Sequence, residues 1–280
     1  MRVAILGCGS IGKRHLKHTI ALGHAALVYD KDIGRAIEAT RTYGGTTVAT
    51  PPMAVDAVIV ATPAAEHTCA PYPHDMPMFI EKPLAISAKR AASMLDGRDV
   101  QVGYNLRFHP ALQYLEQTVD SGLVGAPFYA RFYTSSDIAT WPGRNYADAL
   151  LECSHELDLA RWILGRGTVI GAAVSAMKGD ALAEVIIRHD SEALSSVHLD
   201  YCSRAYRRGG CINGQSGTLE YTLTNSGQAV VGPIDDPHQH QADIRACALK
   251  RRLFYCEDYN DTYREELESF FRCAQKGTHW

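Results

Sequence analysis

The sequence has no long apolar run. Its strand-like stretches, such as Val3 to Leu6 and Ala57 to Ala61, fall far short of the roughly 20 residues that cross a bilayer. The opening stretch Met1-Arg2-Val3-Ala4-Ile5-Leu6 is also too short for a signal-peptide core and runs into glycine, so a cytoplasmic location is expected. No two of the eight cysteines stand as Cys-x-x-Cys, which leaves a zinc ribbon or thioredoxin motif unsupported. Without a secretion signal a disulfide framework is not expected, and the thiols read as small buried apolar fillers. Charge of one sign is lacking too. Lys and Arg number 28 against 31 Asp and Glu, a formal net charge of -3, so no global field draws the chain to nucleic acid or to an anionic membrane. The short basic run Lys250-Arg251-Arg252 reads as a solvated surface turn. What remains is 280 residues, 46% hydrophobic and 21% charged, an ordinary globular composition of a length that favours two domains.

The first hundred residues alternate between two periodicities. Val3–Leu6, Ala26–Tyr29, Ala57–Ala61, Met78–Ile80 and Val100–Tyr104 are short apolar runs, as expected of parallel strands covered on both faces. Helical patterns over Ile11–Leu22, Lys31–Tyr43 and Ser87–Leu95 separate them. Alternation of this kind predicts βαβ units and a doubly wound α/β parallel sheet over residues 1–104. Right-handed crossovers then bring the strand C-termini to one edge, where Gly7, Asp30, Pro63, Lys82 and Asn105 should line a single crevice.

After Asn105 the character changes. Helices are expected over Pro110–Asp120, Leu150–Leu164 and Tyr263–Ala274. Strands are expected over Phe128–Tyr133, Val169–Ala176, Ala183–Arg188, Leu194–Tyr201 and Thr218–Leu223, with Asn213-Gly214 as a hairpin turn. Consecutive strands with short turns predict a mostly antiparallel sheet backed by helices, an α+β domain over residues 105–280. Residues Thr224 to Ala242 are polar and read as a loop.

Leu6-Gly7-Cys8-Gly9-Ser10-Ile11-Gly12 holds Gly-x-Gly-x-x-Gly between a strand and a helix, the context in which that pattern binds a dinucleotide. Gly7 permits the tight turn, Gly9 lets the backbone approach the pyrophosphate, and Gly12 lets helix and strand pack closely. The free N–H groups at Ser10 and Ile11 then meet phosphate oxygens. Asp30, 18 residues past Gly12, either accepts hydrogen bonds from the adenosine ribose or caps the next helix. The first role favours NAD over NADP, while Lys31 and Arg35 nearby soften the preference. Thr62, Pro63, Glu81, Lys82 and Asn105, at the ends of later strands, complete the expected cofactor contacts. Glycine loops of this kind also serve methyltransferases, so a second signal is needed.

That signal is Glu81-Lys82-Pro83, followed by Gly103-Tyr104-Asn105 and then His155-Glu156-Leu157-Asp158. With these residues the chain resembles the glucose–fructose oxidoreductase / inositol dehydrogenase family (Gfo/Idh/MocA), over nearly its whole length. The resemblance implies a Rossmann domain followed by a domain with a large open sheet, hydride transfer between NAD(P) and a sugar or cyclitol, and face-to-face pairing of sheets into a homodimer or homotetramer. It also implies a catalytic role for Lys82 and His155, and commonly a cis bond at Lys82-Pro83. An ammonium beside the reacting oxygen stabilises an alkoxide, and an imidazole carries a proton near neutral pH. Asp158, one turn beyond His155, either binds a substrate hydroxyl or orients the histidine. Family members often place an aspartate four residues before the histidine; here Leu151 stands there and Glu152 is the substitute. Arg107 is expected either to hold a substrate anion or to form a structural salt bridge, and Trp141 either to face a sugar ring or to pack a turn. Arg144 and Tyr146 share the Trp141 loop and its two readings, and the basic stretch Tyr201, Arg204, Arg207, Arg208 is expected either to meet an anionic substrate group or to face a partner subunit. His238 and His240 lack a third ligand, so no metal is expected. The chain ends soon after the last helical pattern, which leaves the expected pocket more open or completed by another subunit. Two rivals stand beside the dehydrogenase: NAD-assisted glycoside cleavage, and a non-catalytic dinucleotide sensor, for which an intact Lys82 and His155 have no chemical use.

Overall fold

A computed structural model of the chain describes residues 1–137, 148–175, 181–223, 240–246, 249–256 and 260–278. The chain forms two compact units, Met1–Asn105 with Thr262–Trp280, and Leu106–Asp261.

In the first unit the chain runs β1 (Arg2–Leu6), α1 (Ser10–Ala21), β2 (Ala25–Tyr29), α2 (Ile33–Tyr43), β3 (Thr46–Thr47), β4 (Ala57–Val60), β5 (Met78–Glu81), α3 (Ala88–Leu95) and β6 (Val100–Gly103). The strands form one parallel sheet in the order β3-β2-β1-β4-β5-β6. The apolar runs are continuous because the sheet is buried on both sides. Val3 and Ile5 enter one core with Leu16, Val28 and Phe79, while Ala4 and Leu6 enter another with Val58, Val60, Tyr72 and Met78. Strand order reverses between β1 and β4, the position where open α/β sheets bind ligands at their carboxyl edge.

The second unit contains α4 (Pro110–Asp120), β7 (Pro127–Asp137), α5 (Ala149–Glu152), α6 (Ser154–Leu164), β8 (Gly167–Ser175), β9 (Leu182–His189), β10 (Leu194–Asp200), β11 (Cys202–Gly214), β12 (Gly217–Leu223), β13 (His240–Ala246) and β14 (Leu249–Cys256). Its eight-stranded sheet has the order β14-β13-β12-β11-β7-β10-β9-β8 and is antiparallel except where β10 meets β7. Leu112, Leu115, Leu159 and Ile163 of the helices pack on Phe132, Val197, Leu199, Ile212 and Leu219 of the strands, giving one core on one face of the sheet.

Several expectations are corrected. Asn213-Gly214 is not a turn: β11 runs through Gly214, which pairs with Gly217 across Gln215-Ser216. The glycine answers to packing instead, since a Cβ at Gly214 would lie 2.1 Å from the Val124 carbonyl oxygen. The basic stretch 204–208 lies within β11, and Lys250-Arg251-Arg252 lies within β14 rather than in a turn. Of the loop expected over 224–242, residues 240–242 open β13, and 224–239 lie outside the described residues. The helix expected over 150–164 is two helices, because Cys153 at φ -93° and ψ 26° leaves helical geometry. Finally, residues 105–280 do not form one continuous unit. The last helix, α7 (Asn260–Lys276), places Leu267, Phe270 and Phe271 in the core with Val3, Ile5 and Phe79. Its aromatic stripe finds a partner against the parallel sheet.

Candidate active site

The dinucleotide loop has the geometry that its glycines foretell. Gly7 sits at φ +97°, and a Cβ there would lie 2.6 Å from the Ala61 carbonyl oxygen. A Cβ at Gly12 would lie 1.9 Å from the Gly7 oxygen. Gly9 differs, with open space around its missing side chain. It is also the N-cap of α1, where no side chain bonds the first N–H groups and no acidic residue occupies the first turn. An uncapped helix N-terminus facing open space fits a pyrophosphate.

Asp30 ends β2 beside this loop. One carboxylate oxygen accepts from Cys8 N at 2.6 Å and the other from Asp32 N at 2.9 Å. It does not cap α2; Asp32 does, accepting from Gly34 N. Each carboxylate oxygen has two lone pairs, so ribose hydroxyls still find acceptors. The two cations nearby are engaged, Lys31 by Glu66 at 2.8 Å and Arg35 by Asp32 at 3.5 Å. Burial, reinforced by the Asp30 charge, pushes the Cys8 thiol up to about 11, so the loop carries no thiolate against a phosphate.

The loop after β4 holds Thr62 and Pro63. The buried His67 fixes it: its Nε2 lies 2.9 Å from the Thr62 carbonyl oxygen and its Nδ1 3.2 Å from that of Leu84, two residues past Lys82. Lys82 follows the end of β5, partly buried, and its bond to Pro83 is cis. Strands lie about 4.8 Å apart, so Lys82 stands about 10 Å along the same sheet edge from the glycine loop after β1. Glu81, expected among the cofactor contacts, turns inward instead. It is buried, with one oxygen 2.6 Å from His15 Nε2 and the other accepting from Lys82 N at 3.2 Å. Asn105 is also buried, donating to the Thr262 hydroxyl at 2.8 Å, which ties the end of the sheet to α7.

In the second unit His155 is buried on the first turn of α6, and Asp158 lies one turn further on the same helix. Arg107 grips Asp158 in bidentate fashion, Nε to Oδ2 at 2.8 Å and Nη2 to Oδ1 at 2.5 Å, with its guanidinium 5.8 Å from the Trp162 ring centre. The salt-bridge alternative for Arg107 is therefore the one realised. Burial raises the Asp158 carboxyl above the usual range, outweighing the bonds from Arg107. Glu152 closes α5. A break at Cys153 separates Glu152 on α5 from His155 on α6. Trp141, Arg144, Tyr146 and His238 lie outside the described residues. Arg208, offered as an anion contact, donates to the fully buried Glu156 at 2.6 Å.

Residues 1–102 match the Gfo/Idh/MocA model, described as an oxidoreductase family with an NAD-binding Rossmann fold. Over this NAD-binding domain the chain is similar to that family. Among curated relatives, the scyllo-inositol 2-dehydrogenase (NAD(+)) of Bacillus subtilis is 26% identical over 99% of this chain and 87% of its own length. A D-apiose dehydrogenase of Rhizobium rhizogenes is 25% identical over 73% of this chain and 67% of its own. The structure of an Agrobacterium radiobacter oxidoreductase in complex with NAD+, L-tartaric acid and magnesium shares the fold, with a TM-score of 0.79, 17% identity, and coverage of 100% of this chain and 90% of that one.

Within this oxidoreductase, reading the sequence missed His15, His67, Glu156 and Arg208 as organising residues. One cue was present: His15 stands three residues after Gly12, on the side of α1 that carries Leu16 into the core. A histidine there needs a buried partner. Nothing in the order of residues said that the partner would be Glu81.

Proposed function

We propose that the protein is an NAD-dependent dehydrogenase that oxidises a secondary hydroxyl of a sugar or cyclitol, with Lys82 and His155 handling the proton. One observation carries the reading: a single edge of the parallel sheet presents an uncapped helix N-terminus, a carboxylate at the end of β2 and a lysine at the end of β5. The family match and the inositol and apiose dehydrogenases among the relatives support the substrate class. NAD, when bound, supplies the hydride acceptor. The Lys82 ammonium donates a hydrogen bond to the reacting oxygen and stabilises it as it becomes an alkoxide. His155 takes up the hydroxyl proton, and returns it in the reverse direction. Arg107 and Asp158 act as one unit that fixes α6 beneath His155 and offers polar edges to a polyol. The paired state of Lys31 and Arg35 favours NAD over NADP, whose 2′-phosphate would meet the Asp30 carboxylate.

The test is NADH formation at 340 nm across a panel of inositols, pentoses, hexoses and nucleotide sugars, with Lys82→Ala beside the natural protein. Loss of turnover by about a hundredfold or more, with NAD affinity kept within about threefold, is expected. Turnover that survived Lys82→Ala would remove the lysine from the chemistry, and tight NAD binding without net NADH would favour glycoside cleavage. A cytoplasmic location accompanies this reading, in keeping with six free cysteines among the described residues. So does a homodimer formed through the open sheet, on whose face away from the helices Ile186 and Leu194 are exposed.

A further inference from the structure

Glu81 and His15 form a buried pair that the proposed chemistry does not use. His15 lies on α1 with no exposed surface, edge-on to Phe79 at 5.2 Å and near the Tyr263 ring at 6.1 Å. Its Nε2 is 2.6 Å from Glu81 Oε1, and the other Glu81 oxygen accepts from the backbone N–H of Lys82 at 3.2 Å. The slot for this carboxylate exists because β6 offers glycine opposite it. Gly103 pairs with Glu81, and a Cβ there would lie 3.1 Å from Glu81 Cδ, from Glu81 Oε1 and from Phe79 Cζ. A carboxylate so enclosed requires a compensating donor. Among the described residues, His15 is the basic side chain within ion-pair distance of it.

We propose that His15 is a positioning residue for Lys82, acting through the Glu81 carboxylate. The proposal rests on the reading that Lys82 carries the chemistry, but its test does not depend on turnover. The imidazole N–H holds Oε1. That fixes the carboxylate plane, and Oε2 then fixes the peptide that leads into Lys82. The same helix that offers its N-terminus to the pyrophosphate thereby holds the peptide from which the lysine projects. Cofactor and amine are set by one strut.

The experiment acetylates the full-length protein with sulfosuccinimidyl acetate and follows each lysine by peptide mass spectrometry. Exposed Lys31 and Lys89 serve as internal references, and the affinity of ADP-ribose, measured by calorimetry, reports the glycine loop. In His15→Leu the Lys82 rate relative to the references is expected to change by about threefold or more, with the ADP-ribose Kd held within about threefold. His15→Gln, which keeps a donor at a similar reach, should restore the natural rate. Gly103→Ala crowds the carboxylate without touching His15 and should reproduce the change. An unaltered Lys82 rate in His15→Leu and Gly103→Ala overturns the proposal, as does a change that His15→Gln fails to rescue. If His15→Leu does not fold, Gly103→Ala decides alone. Loss of turnover in Lys82→Ala is read separately: if it did not occur, the catalytic assignment would fall while the labelling result still judged the strut.

Discussion

Gly7, Gly9 and Gly12 show how differently three identical residues act. Gly7 supplies a backbone angle, Gly12 supplies contact with the Gly7 carbonyl oxygen, and Gly9 supplies empty space for a ligand. Gly12→Ala would drive a methyl into a backbone oxygen and displace α1, so NAD affinity should fall about tenfold or more in a fluorescence titration. Cys8, in the same loop, gives a pH signature. An unfolded thiol ionises at its ordinary value, whereas the buried one waits until about 11. The folded state therefore keeps its proton longer. The stability this contributes is intact below the ordinary thiol range and is lost as pH rises toward 11. Comparing urea midpoints of the natural protein and Cys8→Ala, the difference should shrink between neutral pH and about pH 10.5. A constant difference would show that the thiol is not shielded. The places of Asp30 and Lys82 at strand ends and of His155 on a helix were legible at this scale because motif and context coincide. That the Glu81 carboxylate meets His15 was not legible, because the two lie 66 residues apart in the chain.

Secondary structure elements were read with success where periodicity is strong. Most observed strands and helices of the first hundred residues lie within a residue or two of the patterns that predicted them. The two-residue strand β3 escaped notice, being too short to show a period. β11 was hidden by its composition. Arg204, Arg207, Gly209 and Gly210 do not look like a strand, yet Gly209 and Gly210 are required there, since Cβ atoms would lie 2.5 Å from the Tyr221 oxygen and 2.3 Å from the Arg131 oxygen. The helix α7 was found, but its place was not. Phe270 has no exposed surface and lies 5.7 Å from Phe79. Phe270→Ala should therefore destabilise the parallel-sheet unit by about 3–5 kcal/mol in chemical denaturation. A change under about 1 kcal/mol would mean that α7 does not complete that core.

For the whole molecule, the eight-stranded sheet poses a question of cover. Its helices pack on one face, and the edge strand β8 leaves Val169, Ile170 and Val174 about half exposed. Light scattering should give the mass of a dimer or tetramer. Ile186→Glu with Leu194→Glu, placing charge on the face away from the helices, should shift it toward a mass near 30.7 kDa. A natural protein already at that mass would dispose of the sheet-mediated assembly.

The order of residues by itself determined the parallel sheet, the glycine loop and the lysine at the end of β5. These depend on local period, backbone freedom and the short reach between a strand and the turn that follows it. Only tertiary structure decided that α7 returns to the first unit, that Asp158 is held by Arg107, and that Glu81 faces His15. Each of those joins residues far apart in the chain through burial, and which buried charge meets which partner is settled by packing, not by spacing along the chain.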